Sequence, residues 1–391
     1  MMQQLGKKWI VLFMAGLWMS LTLSAQQKSP FISRVYDFQP APGQFVNESP
    51  DYEPGDTRED ILQKVEELLA GEESSLVSLG GYGGYIVFGF DHPVVNVADG
   101  PDFRVMGNVF VNATAGALAE SSEPGIVMVS RDANGNGLPD DIWYELAGSD
   151  YGKPETVHDY RIVYYKPDGD KTPEPDTENP SLTDTTYIRW ADSQGRQGYV
   201  SRNSFHEQPY YPQWVEVDSL VFEGARLADN YVLENGGYLF HACEWGYADN
   251  KPNADAQSGL DIEWAVDAGG QPVHLPEIHF VKVYTAVNQY CGWLGETSTE
   301  IGGAVDLHPE ALPVAAQRLR GSAQTQLIAN PVRDRLLIES PCGQTVQVVG
   351  MDGVRRMSFR VESGTNELPC SLPRGFYILT AQDNAVKFRK Q

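Results

Sequence analysis

From Tyr85 onward the apolar residues of this chain recur at every second position, in runs too short for helices and closed by Gly, Pro, Asn or Asp. Tyr85–Phe90, Phe103–Met106, Gly125–Ser130, Tyr160–Tyr165, Tyr187–Trp190, Trp214–Val217 and Ile278–Tyr284 carry the pattern. Residues two apart share one face of an extended chain, so each run can bury one face while its backbone pairs with a neighbour. Only one segment has the helical period. Asp56-Thr57 offers a cap, Glu59 and Asp60 fill the first turn, Ile61, Leu62, Val65, Leu68 and Leu69 follow, and Gly71 stops the run. Many short strands and one short N-terminal helix predict an all-β protein whose body is a large β-sandwich or jelly roll.

The ends of the chain divide from that body. Lys7 and Lys8 precede the apolar run Trp9–Trp18, and Leu23-Ser24-Ala25 supplies small residues for cleavage, so residues 1–25 read as a secretory signal peptide. Ser20 and Thr22 interrupt the apolar stretch and no second one follows, which speaks against a retained anchor. The first cysteine is Cys243, so no lipoprotein cysteine sits near the cleavage point. Residues 26–74 form a leader, loosely ordered from Gln26 to Pro54, that contains the helix; 75–307 is the body and 308–324 a linker. Residues 325–391 again show short alternating runs, which predicts a second, small Ig-like β-sandwich. Asp168–Ser181, acidic and Pro-rich, reads as a mobile loop between strands.

Charge excludes one class of partner. The chain holds 53 acidic against 29 basic residues, a formal charge of −24, and the signal peptide and tail are net basic, so the residues between them carry all of the excess. Such a surface repels a phosphate backbone, and nucleic acid is not expected as a partner. Four cysteines in an exported chain favour pairing. Cys243 with Cys291 and Cys342 with Cys370 is the simplest of the three connectivities.

Carboxylates also bind hard cations, and one loop is built for that. In Asp132-Ala-Asn134-Gly-Asn136-Gly-Leu138-Pro-Asp140-Asp141, oxygen-bearing side chains recur at every second position with Gly between them. A chain folded round calcium needs several oxygens converging at about 2.3–2.6 Å. Asp132, Asn134 and Asn136 match the first three positions of an EF-hand-type loop, Leu138 would offer its carbonyl, and Asp140 or Asp141 would close the shell. Trp143 stands where an EF-hand has its closing Glu, so a non-EF calcium loop with a structural ion is expected.

Two resemblances cover most of the chain. Asn330-Pro331-Val332, Met351-Asp352-Gly353, Leu372-Pro373-Arg374-Gly375-Phe376-Tyr377 and Lys387-Phe388 stand in the order found in the type A sorting domain of the Bacteroidetes type IX secretion system. That resemblance implies export by the type IX machinery, removal of the tail and display at the outer cell surface. The body carries Gly80-Gly81-Tyr82-Gly83-Gly84-Tyr85, Glu123-Pro124-Gly125, Trp143-Tyr144-Glu145-Leu146-Ala147-Gly148, Asp261-Ile262-Glu263-Trp264 and Gly295-Glu296-Thr297-Ser298-Thr299-Glu300. These segments resemble Bacteroidetes cell surface proteins that accompany TonB-dependent receptors, some linked to corrinoid capture. The resemblance implies a secreted binding protein with such a receptor as partner and a nutrient such as a corrinoid as ligand.

No nucleophile elbow, zincin motif or P-loop is present. His241-Ala-Cys243-Glu244 reads as strand, which would put His241 and Cys243 on one face. The alternatives to non-enzymatic nutrient capture are a host-glycan adhesin and a surface glycoside hydrolase, the latter drawing its carboxylate pair from Asp261, Glu263 and Glu296. The Gly80–Gly84 run reads as a flexible strand entry. Trp214, Trp245, Tyr247 and Trp293 sit in loop-like sequence and are the candidate ligand-binding aromatics for a small molecule or glycan.

Overall fold

The computed structural model describes residues 28–98, 100–112, 119–234, 236–311, 325–328, 331–351, 353–381 and 384–391. The expected signal peptide and most of the linker lie outside them, as do Asn330 and Asp352 of the tail motifs. Among the described residues no helix is long and apolar enough to cross a membrane.

A six-stranded sheet organises the body. Its order is Arg34–Gln39, Tyr85–Val95, Glu277–Thr285, Gly125–Ser130, Trp143–Leu146, Ala265–Val266, with every neighbouring pair antiparallel. Alternation along these strands feeds two cores. Ile86, Phe88, Val127, Val129, Val281 and Val283 point into an aliphatic core capped by the helix and by the short strands Phe103–Val105, Gly259–Leu260 and Ala304–Asp306. Ile126 and Tyr284 point the other way, into a tyrosine-rich core with Tyr82, Tyr160, Tyr164 and Phe222. That second core is closed by a four-stranded antiparallel sheet of order Gln197–Asn203, Leu182–Asp192, Val157–Tyr165, Ser219–Arg226. The protein is all-β, as expected, with the helix as a third layer on the sandwich.

The helix spans Arg58–Leu69 and starts where the cap signal put it. Thr57 Oγ1 accepts the Asp60 N–H at 3.2 Å, and Asp60 Oδ2 accepts the Thr57 N–H at 2.9 Å, a reciprocal box that satisfies two otherwise orphaned donors. Ile61, Val65 and Leu69 are its buried stripe. Losing the cap in a Thr57→Ala protein is expected to lower stability by about 1 kcal/mol, read as an earlier midpoint in urea with an unchanged slope.

Several expectations are corrected. The leader is not loose: Arg34–Gln39 is the edge strand of the central sheet, and Ile32, Val35 and Phe38 belong to the aliphatic core. Trp214–Val217 is not a strand. Val215 N–H turns back to the Pro212 carbonyl, Trp214 stacks against Phe38, and the real strand begins at Ser219. The strand Gly237–Phe240 ends before His241, leaving His241 exposed while Cys243 is buried, so the two do not share a face. The Asp168–Ser181 loop is pinned by Lys171 on Asp184 at 2.9 Å and by the Thr185 N–H on the Glu174 carbonyl. All four cysteines are free thiols. The backbone of Cys243 is fixed by Asn250, which bonds both its N–H and its carbonyl, and Cys291 begins the 3-10 turn Gly292–Leu294.

The tail forms two sheets. Gln326–Leu327, Arg335–Ser340 and Gly364–Pro369 make one; Arg355–Val361, Gln344–Gly350, Gly375–Thr380 and Ala385–Lys390 make the other. Leu336, Ile338, Val346, Val348, Leu379 and Phe388 fill the core between them.

Candidate functional site

Four carboxyl groups from three separate stretches of the sequence come together in the body. Glu123 lies just before the strand Gly125–Ser130, Asp249 closes a turn, Glu300 opens the short strand Glu300–Ile301, and Glu296 precedes it. Asp249, Glu296 and Glu300 are buried and Glu123 is partly exposed. One ligand oxygen from each of Glu123, Asp249 and Glu300 lies within 4.8 Å of the others.

The backbone explains how such a cluster is held. Asp249 adopts a left-handed conformation with φ of 47°, uncommon for a residue with a side chain. Its Oδ1 accepts the Asn108 N–H at 2.9 Å and its Oδ2 the Glu300 N–H at 3.0 Å. Gly107 makes that approach feasible, because a Cβ there would stand 2.0 Å from Asp249 Oδ1. The turn behind it is stapled by Asn250, which also receives the Ser122 hydroxyl at 3.0 Å. Glu123 Oε1 accepts the Ser298 N–H at 3.3 Å. Glu300 Oε2 accepts from Asn108 Nδ2 at 3.4 Å, while its Oε1 has no hydrogen-bond partner. Glu296 Oε1 accepts the Gln44 N–H at 2.6 Å, and its Oε2 is likewise unpartnered.

Among the described residues none of these carboxyls is ion-paired with Lys, Arg or His. Burial therefore dominates their chemistry. It pushes Glu296 up to about 8 and Glu300 to about 7, and it holds Glu123 and Asp249 well above the usual carboxylate range, with the Glu300 charge adding to both. Two unit charges at this separation repel by about 3 kcal/mol at an effective dielectric near 20. Three ionised carboxylates cannot share the space unless a proton or a cation intervenes.

Glu123, Glu296 and Glu300 form part of the wall of a pocket of about 440 Å³, whose other walls include Phe45, Phe110, Tyr238, Phe240 and Cys291. Phe45 and Phe110 are 37 % and 61 % exposed, so aromatic faces remain open to a ligand beside buried acids. A wider cleft of about 670 Å³ lies on the central sheet, where Glu145, Lys282 and Tyr284 face it. There burial raises Glu145 to about 7 and lowers Lys282, and the two stand on either side of Met128 across adjacent strands. The smaller pocket is the better candidate. It joins open aromatics to a group of carboxyls with unpartnered oxygens.

The residues singled out from sequence fall elsewhere. In the Asp132–Asp141 loop the side chains serve the loop's own backbone. Asp132 accepts the N–H groups of Gly135, Asn136 and Gly137 at 2.6, 3.1 and 2.9 Å, and these bonds, led by Gly137, hold its carboxyl below the usual range. Asn134 and Asn136 donate to Asp140 at 3.2 and 2.9 Å, Asn136 Oδ1 accepts the Leu138 N–H at 2.8 Å, and Asp141 accepts the Ala133 N–H at 3.0 Å. Trp214 packs on Phe38 and Tyr52, Trp245 on Trp264 at 4.5 Å, and the buried Tyr247 hydroxyl accepts the Asp150 N–H. Trp293, 44 % exposed, is the one that adjoins the acidic pocket in sequence, through Leu294 and Gly295. Asp261 caps the turn Ile262–Trp264, and Glu263 pairs with His274 at 2.8 Å; neither lines the pocket that holds Glu296.

Glu123, Asp249 and Glu300 were not singled out from sequence. For Glu123 and Glu300 the available signal was an acidic residue in a Gly-, Ser- or Thr-containing segment without a nearby Lys or Arg, as in Gly295–Glu300; Asp249, with Lys251 two residues on, carried no such signal.

No family model matches the chain, and no curated protein matches it. Among solved structures it is similar to a biofilm-associated protein BSP domain, at 11% identity and a TM-score of 0.15 over 76% of this chain and 53% of that one. A Faecalibacterium prausnitzii beta-glucuronidase is similar at 11% identity and a TM-score of 0.14, over 75% of this chain and 47% of that one. The chain thus spans about half the length of these solved chains. Likenesses this distant carry no argument about function.

Proposed function

We propose that the chain is an exported, surface-displayed capture protein, and that the acidic pocket beside Phe45 and Phe110 is its binding site. The single observation that carries the reading is the pairing of open aromatic faces with a buried acid, Glu296, whose second oxygen has no protein partner. With its pKa pushed up to about 8 by burial, Glu296, which lines this pocket and a smaller one beside Tyr82 and Tyr290, is a neutral acid at neutral pH with an O–H to donate. A ring with an apolar face and hydroxyl or carbonyl acceptors suits that combination. A glycan unit fits a space of about 440 Å³; a corrin ring would have to rest at the mouth. The signal-like start and the sorting-like tail support export by the type IX machinery, and the body's resemblance supports a TonB-dependent receptor as partner. The Asp132–Asp141 loop, with its side chains already turned inward, is where a structural calcium would brace the body.

Calorimetry of the full exported chain against neutral and acidic oligosaccharides, with cyanocobalamin as a separate arm, tests this reading. Glycan binding is expected, weakened about tenfold by Phe110→Ala, an exposed position whose loss leaves the fold intact. No glycan binding, or binding indifferent to Phe110→Ala, removes the pocket assignment. Binding of cyanocobalamin alone would return the ligand to the corrinoids. Glycan hydrolysis abolished by Glu296→Gln would make the protein a hydrolase.

A further inference from the structure

We propose that Glu123, Asp249 and Glu300 form a site for one hard divalent cation, calcium foremost, seated at the base of the pocket. The inference goes beyond the capture reading, since it requires no organic ligand.

The spacing of the oxygens admits one ion between them. Oxygens placed about 2.3–2.6 Å from a common calcium lie at most about 4.6–5.2 Å from one another. The three carboxylates offer oxygens within 4.8 Å. An independent observation points the same way: Glu300 is 6 % exposed, lines the pocket, and has Oε1 with no hydrogen-bond partner. An orphaned buried acceptor is uncommon in a folded protein and calls for an explanation such as an ion.

The surroundings prepare the ligands. Asn108 N–H and Glu300 N–H fix both oxygens of Asp249, and Ser298 N–H fixes Glu123 Oε1, so the carboxylates are oriented by backbone donors before any ion arrives. Each of those oxygens keeps a lone pair for a metal. The ligands come from three separate segments, so an ion would tie together the entry to the strand Gly125–Ser130, the turn at Asp249 and the strand Glu300–Ile301. Oxygen-only donors select calcium, magnesium or manganese over zinc or copper.

The test is a calcium titration of the full chain, stripped with chelator and free of any glycan. Binding is expected to raise the melting temperature, and Glu300→Gln to weaken calcium affinity at least about tenfold. In chelator, Glu300→Gln should melt at or above the wild type, because the change removes a like charge; in calcium it should melt below. That reversal separates a ligand from a merely structural residue, and it can be read even if Asp249→Asn fails to fold. Asp132→Ala should leave this site's affinity unchanged. A calcium shift lost in Asp132→Ala but kept in Glu300→Gln would move the ion to the exposed loop and overturn the proposal, as would no calcium response in the wild type. A response to magnesium or manganese alone would overturn the assignment to calcium. Loss of glycan binding with the calcium response intact would sink the pocket reading and leave this one standing.

Discussion

A Gly84→Ala protein is expected to lose about 3 kcal/mol of stability or more, a large effect for a single methyl group. A Cβ on Gly84 would stand 1.8 Å from the Leu79 carbonyl oxygen and 2.4 Å from the Ala41 nitrogen. Both are backbone atoms, joined to each other by the Ala41 N–H to Leu79 carbonyl hydrogen bond of 3.0 Å. No rotamer change relieves the clash; the crossing itself must open. The neighbours behave alike, for Gly80 has φ of 69° and a Cβ there would meet the Ala41 oxygen at 1.9 Å, while one on Gly83 would meet Phe222 at 2.3 Å. Gly135→Ala is the control. Its φ of 73° is also left-handed, but nothing lies within 4 Å of an added Cβ, so only the conformational penalty of about 1 kcal/mol remains. Urea unfolding of the two variants beside the wild type measures both. Equal small losses would show that the Gly80–Gly84 segment has room to shift.

That glycine run marks where sequence reading stopped short. It looked like a flexible entry because glycine is the freest residue, whereas its use here is to let two backbones touch beneath a tyrosine-rich core. The strands were legible for the opposite reason: Gly125–Ser130 is short, almost continuously apolar and bounded by turn residues, because both faces of the central sheet are buried against different cores. The helix was legible from its cap. Trp214–Val217 misled because a short Trp-Val-Glu-Val run, apolar on either side of one acid, looks the same in a strand and in a turn that packs on Phe38. The acidic cluster was out of reach for a topological reason. Glu123, Asp249 and Glu300 have no common spacing, and they meet because Asp249 bonds backbone N–H groups in two other segments. Local pattern reports pairs that are near in sequence. A site assembled by long-range packing leaves only its charges unaccounted for.

Those charges give the second large effect, a fall in stability as pH rises from about 5 to 8.5, measured with chelator present. Glu296 has an ordinary value of 4.5 and is pushed up to about 8 in the folded protein by burial. Asp102, wholly buried, is pushed from 3.8 to about 7 by the same cause, against the pull of the Val97 and Ile262 N–H groups. Between the unfolded and folded values the native state binds more protons than the unfolded one, so the slope of stability with pH is negative there. The contribution of Glu296 is whole below about pH 4.5 and is lost as pH climbs through 8. A Glu296→Gln protein cannot make that transition. Its Oε1 still accepts the Gln44 N–H, so the fold keeps the bond that positions the side chain. The variant's profile should be flatter than the wild type's, and at pH 8.5 it should be the more stable protein by about 2 kcal/mol, a figure reduced because the group borders a pocket that admits water. Carboxyls with lowered values, such as Asp132, act in the other direction and only under acidic conditions, so they leave this window alone. Denaturant midpoints at pH 5, 6.5 and 8.5 decide the matter. Parallel profiles for the two proteins would mean that Glu296 is ionised throughout, and the neutral O–H that the capture pocket relies on would go with it.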